Sequence, residues 1–384
     1  MLTISAEKLR AIVPMPAAIK AVRAAFVALS NGEADQPQRL SLDDGSLLAM
    51  VARVGDGGTS AKLVSIHGGN REVGLPTIHT VVVWFSPVTG VPTATLEGDT
   101  LTTIRTGAAS GIATDLLAAP GAKVLAMFGA GALAPDQVRA VLAVRPVEEV
   151  RVISLHNASS SALVASMRRE FPQVTFHVCR TAKETVSGAD IVCTATPSVH
   201  PLFDDGDVQA GCHINAVGAF RPAMCEIGPA LLQRAQVIAV DHVPAALEEA
   251  GDLIQAVSGG WIEKSKLTPI GGLLQEGFRR QEGAVTVFKS VGVAVQDWAV
   301  RLHAANTAST CIRSGVVART LIFHARVKLR PRRDGTHLRK RNPKTQARVR
   351  SHVCPGSRRP SLAHAVVQKL GCITAPLGTR PVSR

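Results

Sequence analysis

The stretch that decides the fold is "VLAMFGAGALAPDQVRAV", residues 124–141. It begins with an apolar run typical of a buried strand and turns through Gly129, Gly131 and Ala134 into a helical pattern. The G-x-G-x-x-A spacing permits a tight turn and lets a pyrophosphate approach the backbone and the helix N-terminus, while Ala134 keeps helix and strand close. At a strand-to-helix junction this spacing indicates a dinucleotide-binding turn rather than a simple Gly-rich turn.

Short apolar strands alternate with helical segments on both sides of this turn. The strand candidates are "AKVLAMFG", "VRVIS", "VTFHVC", "ADIVCTAT", "CHINAVG" and "QVIAVD". Such alternation is typical of a doubly wound parallel sheet. We therefore predict an α/β chain with a Rossmann dinucleotide-binding domain over residues 115–289.

The residues before this domain have a different pattern. Residues 7–30 carry apolar side chains at helical spacing, interrupted by Pro14 and Pro16. The segments "SLLAMVARV", "SAKLVSIH" and "IHTVVVWF" follow, separated by Gly-rich turns without a helical pattern, which predicts an antiparallel sheet. Residues 285–306 read as an apolar helix that packs back onto this part. The Rossmann domain is therefore predicted to be an insertion in a discontinuous α+β domain, residues 1–114 plus 290–308.

The net charge of +14 is concentrated at the C-terminal end. Residues 309–384 hold 18 Lys and Arg and one acid, Asp334, so the first 308 residues carry a net charge of −3. This tail mixes Pro, Gly and Arg without periodicity, and we expect disorder. It contains one aromatic residue, Phe323, so it lacks the stacking platform of many nucleic-acid-binding proteins. We favour an extension without a selected function over a nucleic-acid-binding arm.

The remaining composition excludes several protein classes. The seven cysteines are scattered without metal-ligand spacing, so neither a zinc site nor a disulfide framework is expected. The N-terminus lacks the pattern of a secretory signal, and no apolar run approaches the roughly 20 residues that span a bilayer. We expect a cytoplasmic protein without a membrane partner.

The choice of dinucleotide depends on the end of the second Rossmann strand. An NAD-specific site usually places an acid about 20 residues after the Gly-rich turn. Here the strand ends in "SLHN", residues 154–157, which is neutral. Neutral polar groups tolerate a 2′-phosphate, which favours NADP, although no Arg stands nearby and NAD stays open.

Three cationic residues are candidates for chemistry. Lys62 shares one strand face with Val64 and Ile66, where a lysine either meets an anion, has a lowered pKa or extends to the strand edge. Arg105 opens the helical segment "TIRTGAASGIATDLL", whose small residues permit close approach of a ligand. By itself Arg105 is more simply a surface cap or ion pair, and Arg39 in "QPQRLSL" has no distinguishing context.

An ordered series of motifs resembles the ornithine cyclodeaminase/mu-crystallin family. The series is "KLVSIHGGN", "GLPT", "TLTTIRTGAASGIAT", "FGAGALA", "NAVGAFRP", "EEAGDL" and "VFKSVGVAVQD". The resemblance covers most of residues 1–306 and implies a homodimer. In that family the discontinuous domain supplies the dimer sheet and substrate pocket, beside a Rossmann domain for NAD or NADP.

The resemblance also implies roles for individual residues. Lys62 and Arg105 would be catalytic, and the carboxylate of an amino or imino acid would be held by Arg39, Lys62 and Arg105, with Phe220 and Val291 also at the substrate. The cofactor would be lined by Thr77, Arg105, Gly129, Gly131, Ala132, Leu133, Ser154, Val217, Gly218, Ala219 and Ser290.

Phe220 is the departure that decides the expected reaction. It stands where cyclodeaminases of this family have a catalytic Asp that relays protons. Arg221 is a poor base, and Glu226 is expected in the first turn of the next helix. We therefore predict an NAD(P)H-dependent reductase of a cyclic ketimine or 2-oxo or imino carboxylate, as in Δ1-pyrroline-2-carboxylate reductases. A cyclodeaminase that converts ornithine to proline and ammonia, and a non-enzymatic NADP-binding protein, stay as alternatives.

Overall fold

A computed structural model describes residues 1–42 and 44–313 and contains two sheets. The strands are β1 Leu2–Ile4, β2 Ala34–Asp35, β3 Leu40–Ser41, β4 Leu47–Val54, β5 Thr59–Ile66, β6 Ile78–Phe85, β7 Pro92–Glu97, β8 Val124–Phe128, β9 Glu149–Ile153, β10 Thr175–Val178, β11 Ile191–Thr194, β12 His213–Ala216, β13 Val237–Val240, β14 Leu267–Pro269 and β15 Thr286–Lys289.

Eleven α-helices lie in the described residues. They are α1 Ala6–Ile12, α2 Met15–Ser30, α3 Gly98–Leu117, α4 Ala134–Leu142, α5 Asn157–Glu170, α6 Ala182–Val186, α7 Pro229–Arg234, α8 Val243–Glu249, α9 Gly251–Ser258, α10 Ile270–Glu276 and α11 Ala294–Arg313.

The first sheet has seven strands in the order β1-β7-β6-β5-β4-β2, with β3 also pairing with β4. Strands β4 to β7 are antiparallel neighbours, which confirms the antiparallel sheet predicted for β4, β5 and β6 and adds β7 to it. Side chains alternate between faces, so Met50, Lys62 and Val82, which lie side by side in register, all point to the buried face. That face is covered by α2, α3 and α11, whose core contacts include Phe26, Ile104 and Trp298.

The second sheet has eight parallel strands in the order β10-β9-β8-β11-β12-β15-β13-β14. One of its faces packs against α4 and α5 through residues such as Val138 and Met167. The other packs against α7, α8 and α9 through residues such as Leu231 and Leu253. The predicted doubly wound Rossmann fold is confirmed. The strand order reverses between β8 and β11, and ligands of such sheets bind at the carboxyl ends of the strands at this point.

Helix α3 joins the two sheets and is buried on almost every side. It packs against β6 of the first sheet and against α4, a helix that covers the second sheet. Gly107 makes this possible, because a Cβ there would overlap the backbone oxygen of Asp136 in α4. A second glycine one turn on, Gly111, lies against Ile19 of α2. The small residues of "RTGAASG" therefore serve helix packing.

The prediction of a continuous helix over residues 285–306 is wrong in its first part. Residues 286–289 form β15, a central strand of the parallel sheet, and the helix begins at Ala294. A short apolar run buried on both faces has the same composition whether it is a strand or a helix. Helix α11 continues to Arg313, so residues 309–313 of the predicted tail are helical. The rest of that tail lies outside the described residues, and the domain boundaries stay a prediction.

No single helix in the described part of the chain is long and apolar enough to cross a membrane. Helices α1 and α2 satisfy the length and composition criterion only as a pair, and that pair is bent by 83°.

Candidate active site

A cavity of about 410 Å³ lies between the buried face of the first sheet and the carboxyl ends of the second. The structure brings most of the predicted site residues to it: Arg39, Lys62, Thr77, Arg105, Ala132, Leu133, Val217, Phe220, Ser290 and Val291. Its apolar wall comes mainly from Leu48, Met50, Val64, Ile66 and Ile78. A cationic group of side chains therefore faces an apolar wall, which suits a small carboxylic acid with a hydrocarbon body.

Lys62 lies in the middle of β5 and points into this cavity with a side chain that is 2% exposed. Its Nζ lies 2.8 Å from Asp297 Oδ2, at the first turn of α11. Burial lowers the pKa of Lys62 to about 8, with the charge of Arg105 acting in the same direction and Asp297 opposing both. An ammonium with such a pKa releases and regains a proton near neutral pH.

Arg105 lies in the middle of α3 and is buried, so the interpretation as a surface cap is wrong. Its Nε lies 3.4 Å from Asp297 Oδ1, and its Nη1 donates to Gln296 Oε1 at 2.8 Å. Gly292, at φ +81°, lies against the guanidinium, and a Cβ there would overlap Nη1. The guanidinium is thus fixed by α11 on one side and by the backbone of Gly292 on the other.

Arg39 reaches the cavity from the segment before β3. Its Nη2 pairs with Glu249 and donates to the carbonyl of Val291 at 3.2 Å. Burial lowers the pKa of Arg39, and the charge of Arg105 lowers it further. Lys62, Arg105 and Arg39 therefore share two carboxylate partners, Asp297 and Glu249. This arrangement leaves positive charge available to a bound anion.

The Gly-rich turn has the geometry of a pyrophosphate cradle. Gly129 follows β8 with φ +101°, and a Cβ there would lie 2.6 Å from the carbonyl oxygen of Ala195, after β11. At Gly131 a Cβ would meet no heavy atom within 4 Å, so the turn is open at that side. Leu133 caps α4 without a side-chain hydrogen bond. The N–H of Ala134 donates to the carbonyl of Gly131 at 3.1 Å and Pro135 has no N–H, so this helix start offers an anion mainly the positive end of the helix dipole.

Ser154 lies at the end of β9, outside the lining of the cavity. Its hydroxyl lies 2.9 Å from the carbonyl of His156 and 2.8 Å from Ser160 Oγ. The next residue, Leu155, is 93% exposed. This strand end therefore offers neutral polar groups at an open edge, as the sequence predicts.

Phe220 lines the cavity after β12, beside Val217. The guanidinium carbon of Arg221 lies 5.7 Å from the centroid of its ring. Asp99, in the first turn of α3, is the one carboxylate among the described lining residues. Sequence reasoning missed Asp99, and its position at the start of "GDTLTTIRTGAASG", two residues after β7, is the signal that could have found it.

Glu226 is not in the first turn of a helix, so that expectation is wrong: α7 begins at Pro229. The side chain is fully buried and accepts hydrogen bonds from Thr196, Gly218 and Ala219. Gly218 and Ala219, predicted to line a cofactor, are held by this carboxylate. Ser290, another predicted cofactor residue, donates to Asp241 Oδ2 at 2.8 Å, and the N–H groups of Val291 and Gly292 donate to the same oxygen.

Sequence reasoning assigned no role to Asp297, Glu249 or Asp241. Two of them stand in quoted motifs, Asp297 at the end of "VFKSVGVAVQD" and Glu249 in "EEAGDL". Their partners lie in distant parts of the chain, so local patterns do not indicate the pairing.

The chain is similar to known proteins in sequence and in fold. The profile described as Ornithine cyclodeaminase/mu-crystallin family matches residues 3–309. A Δ1-pyrroline-2-carboxylate reductase of Bacillus cereus is 36% identical over 305 residues, which cover 77% of this chain and 93% of that protein.

Two solved structures have the same fold. The structure of Thermococcus litoralis Δ1-pyrroline-2-carboxylate reductase in complex with NADH and L-proline matches with a TM-score of 0.77 and 28% identity, covering 82% of this chain and 98% of that one. An archaeal alanine dehydrogenase dimer with bound NAD matches with a TM-score of 0.75 and 31% identity, covering 81% and 96%.

Proposed function

Because this chain belongs to the ornithine cyclodeaminase/mu-crystallin family, we propose that its cavity binds a cyclic ketimine carboxylate of the Δ1-pyrroline-2-carboxylate class. The chain is an NAD(P)-dependent oxidoreductase that acts on imino or amino acids. The observation that carries the substrate assignment is the buried group of Lys62, Arg105 and Arg39 facing an apolar wall that includes Phe220. The small ring of such a substrate would pack against the apolar wall, and its carboxylate would pair with the cations.

A nicotinamide dinucleotide fits the residues after β8. Gly129, at φ +101°, permits the tight turn beside Ala195, Gly131 leaves the turn open, and the N-terminus of α4 with its helix dipole follows directly. When bound, the cofactor supplies the hydride that reduces the imine carbon. Val217 and Ser290 lie in the cavity wall near the strand ends, where they would border the nicotinamide.

The side chains of the cavity have separate tasks in this proposal. Arg105, held by Asp297 and Gln296, binds the substrate carboxylate with Arg39. The Lys62 ammonium faces the same space and donates a proton to the imine nitrogen as it becomes an amine. The three cations also stabilise negative charge that develops during the reaction. Phe220 and its apolar neighbours keep water away from the reacting carbon.

A substrate panel tests the assignment. Purified protein is given Δ1-pyrroline-2-carboxylate, larger cyclic ketimines and linear 2-oxo acids with ammonia, and oxidation of NADPH or NADH is followed by absorbance. We expect the highest kcat/KM with a cyclic ketimine. Preference for a linear 2-oxo acid would contradict the ring assignment, and cofactor binding without any turnover would favour the non-enzymatic alternative.

Cyclodeamination is the second candidate because Asp99 places one carboxylate in the cavity wall. The proposal favours reduction, since Phe220 occupies the wall beside Val217 where a proton relay would be needed. Ammonia assayed with ornithine, at catalytic cofactor concentration and without net cofactor consumption, separates the two reactions. Sustained ammonia release would replace the reductase proposal.

We propose that NADP is preferred over NAD. The support is the neutral end of β9, where Ser154 and exposed neighbours carry no acid to repel a 2′-phosphate. The ratio of kcat/KM for NADPH and NADH measures this preference, and a ratio below one would contradict it.

We propose a homodimer formed through the outer face of the first sheet. Apolar side chains are exposed there: Leu63 and Val81 lie opposite each other in register and Val51 stands on the next strand, with exposures of 43%, 39% and 37%. An apolar sheet face of this kind is unusual on a monomer. Leu63→Glu should produce a monomer in light scattering after size exclusion, whereas Val88→Glu, at an exposed turn, should not.

A reducing cytoplasmic location is also proposed. Cys179, Cys193, Cys212 and Cys225 are buried free thiols, which suits a compartment that keeps thiols reduced. Fractionation of the source cells with an antibody to the chain tests it.

A further inference from the structure

The buried carboxylate of Glu226 joins the ends of two neighbouring Rossmann strands. The N–H groups of Gly218 and Ala219, after β12, donate to its Oε2 at 2.7 and 3.1 Å. The N–H and hydroxyl of Thr196, after β11, donate to its Oε1 at 2.7 and 2.9 Å. One carboxylate therefore holds both loops at the edge of the sheet where the proposed nicotinamide lies.

The local sequence is adapted to this arrangement at Gly218. A Cβ at that position would overlap the backbone of Thr196 and lie 2.5 Å from Glu226 Oε1. No side chain could stand between the two loops without displacing the carboxylate. The glycine of "VGAF" is thus required by the close approach of the Thr196 backbone and of Glu226, in addition to any cofactor.

Glu226 is itself held by a buried ion pair. Asp252 Oδ1, in the first turn of α9, accepts from the N–H groups of Glu226 and Ile227 at 2.6 and 3.0 Å. Asp252 Oδ2 lies 2.5 Å from Lys289 Nζ, at the end of β15, and both side chains are fully buried. Gly251 lets the segment before Glu226 pack onto α9, since a Cβ there would lie 2.7 Å from the carbonyls of Arg221 and Pro222.

We propose that Glu226, supported by Asp252 and Lys289, is a positioning residue for hydride transfer. None of the three lines the cavity, whereas Val217 and Phe220, on either side of the two N–H groups that Glu226 holds, both do. The network therefore acts on the reaction through the loop of residues 217–220. This inference rests on the proposed function, because it takes that loop to border the reacting carbon.

The matched control is Asp190. It also accepts two backbone N–H groups, from Lys123 and Val124 at 2.7 and 3.0 Å, and a side-chain amide from Gln209. It lies at the amino ends of β8 and β11, so it performs the same structural task at the opposite edge of the same sheet. Asp190→Asn should lower stability and leave turnover within about twofold of wild type.

The test compares Glu226→Gln with Asp190→Asn. A glutamine has one amide nitrogen that cannot accept, so one of the two loops loses its partner. We expect Glu226→Gln to bind cofactor with a similar Kd and to lose about tenfold or more in kcat, because small misplacements of reacting groups are costly. The kinetic isotope effect with cofactor deuterated at the transferred position should rise. Thr196→Val, which removes one of the four donors to Glu226 and the acceptor of the Ser198 N–H, should give a smaller loss in the same direction.

Amide hydrogen exchange gives a readout that does not depend on turnover. Glu226→Gln should speed exchange at Gly218 and Ala219, and Asp190→Asn should speed it at Lys123 and Val124. The inference is overturned if Glu226→Gln lowers only the melting temperature, with kcat, isotope effect and exchange at 217–220 unchanged. It is overturned too if Thr196→Val folds and does not reduce kcat. A wild-type chain that reduces no substrate would instead refute the proposed function, and exchange would still decide whether Glu226 holds the loop.

Discussion

Lys62 and Asp297 form an ion pair of 2.8 Å in which the side chains are 2% and 1% exposed. The same carboxylate lies 3.4 Å from Arg105, so it is shared by two cations that face one cavity. Asp297 thereby controls both the charge of the cavity and the proton affinity of the lysine within it.

The first prediction concerns the pH dependence of turnover. The proposed reaction needs the protonated form of Lys62, whose pKa is lowered to about 8 by burial. The rate kcat should therefore be constant below this value and fall as pH rises through it. Lys62→Met should lose most of the activity and this alkaline limb. A profile that is flat from pH 7 to 10 would show that Lys62 is not the proton donor.

Asp297→Asn should move that limb to lower pH. Asp297 raises the pKa of Lys62, so its removal leaves burial and Arg105 to lower the pKa further. The free energy of unfolding should also fall by about 3–5 kcal/mol, because a buried cation loses its partner. Asp115→Asn is the control: Asp115 pairs with Arg23 and Arg145 but is 45% exposed, so its loss should leave the pH profile unchanged. A limb at the wild-type position in Asp297→Asn would contradict the pairing.

Gly292→Ala tests whether the close approach of Gly292 fixes the position of the Arg105 guanidinium. The added methyl group overlaps the guanidinium, and φ of +81° is itself unfavourable for alanine. We expect KM for the ketimine to rise about tenfold or more, since Arg105 binds its carboxylate in the proposal. Gly188→Ala is the matched control, because it has φ +70° and nothing within 4 Å of the added methyl group. Gly188→Ala should lower stability by a similar amount, because its backbone strain is similar, and leave KM unchanged. An equal rise of KM in both variants would show that Gly292 does not act through Arg105.

Much of the fold follows from the sequence because its signals are local. The strand alternation predicts that Lys62 shares a face with Val64 and Ile66, and the glycine spacing predicts the turn after β8. The signal fails at residues 286–289, where burial on both faces removes the periodicity that separates strand from helix.

The candidate site is less predictable, because its energetics depend on pairs that are distant in the chain. The resemblance to a family brings Arg39, Lys62 and Arg105 together, but their carboxylates come from α8 and α11. In the sequence Glu226 resembles an ordinary acid at a helix start, and only the folded structure shows that it is buried. Burial, rather than residue type, gives these acids their importance, and burial is a property of the folded chain.

Ser154→Asp should change the cofactor preference. A carboxylate at the end of β9 can accept from the ribose hydroxyls of NAD and repels a 2′-phosphate. We expect the ratio of kcat/KM for NADPH over NADH to fall by about tenfold or more, as for a charge repulsion of about 1.4 kcal/mol. Ser161→Asp adds the same charge on the exposed side of α5 and should leave the ratio unchanged. An unchanged ratio in Ser154→Asp would place the 2′ position elsewhere.

Phe220→Asp tests whether the apolar wall selects reduction over deamination. The substitution puts a carboxylate into the cavity beside Val217, within reach of a substrate whose distal amine needs proton relay. We expect ketimine reduction to fall by about tenfold or more, because a charge replaces part of the apolar wall, and ammonia release from ornithine to appear. Phe220→Leu keeps the wall apolar and should retain reduction without ammonia. If Phe220→Asp folds, binds cofactor and releases no ammonia, the side chain at 220 does not decide between the reactions. Asp99, the carboxylate already in the wall, would then be the residue to replace next, by Asp99→Asn, with the same two assays.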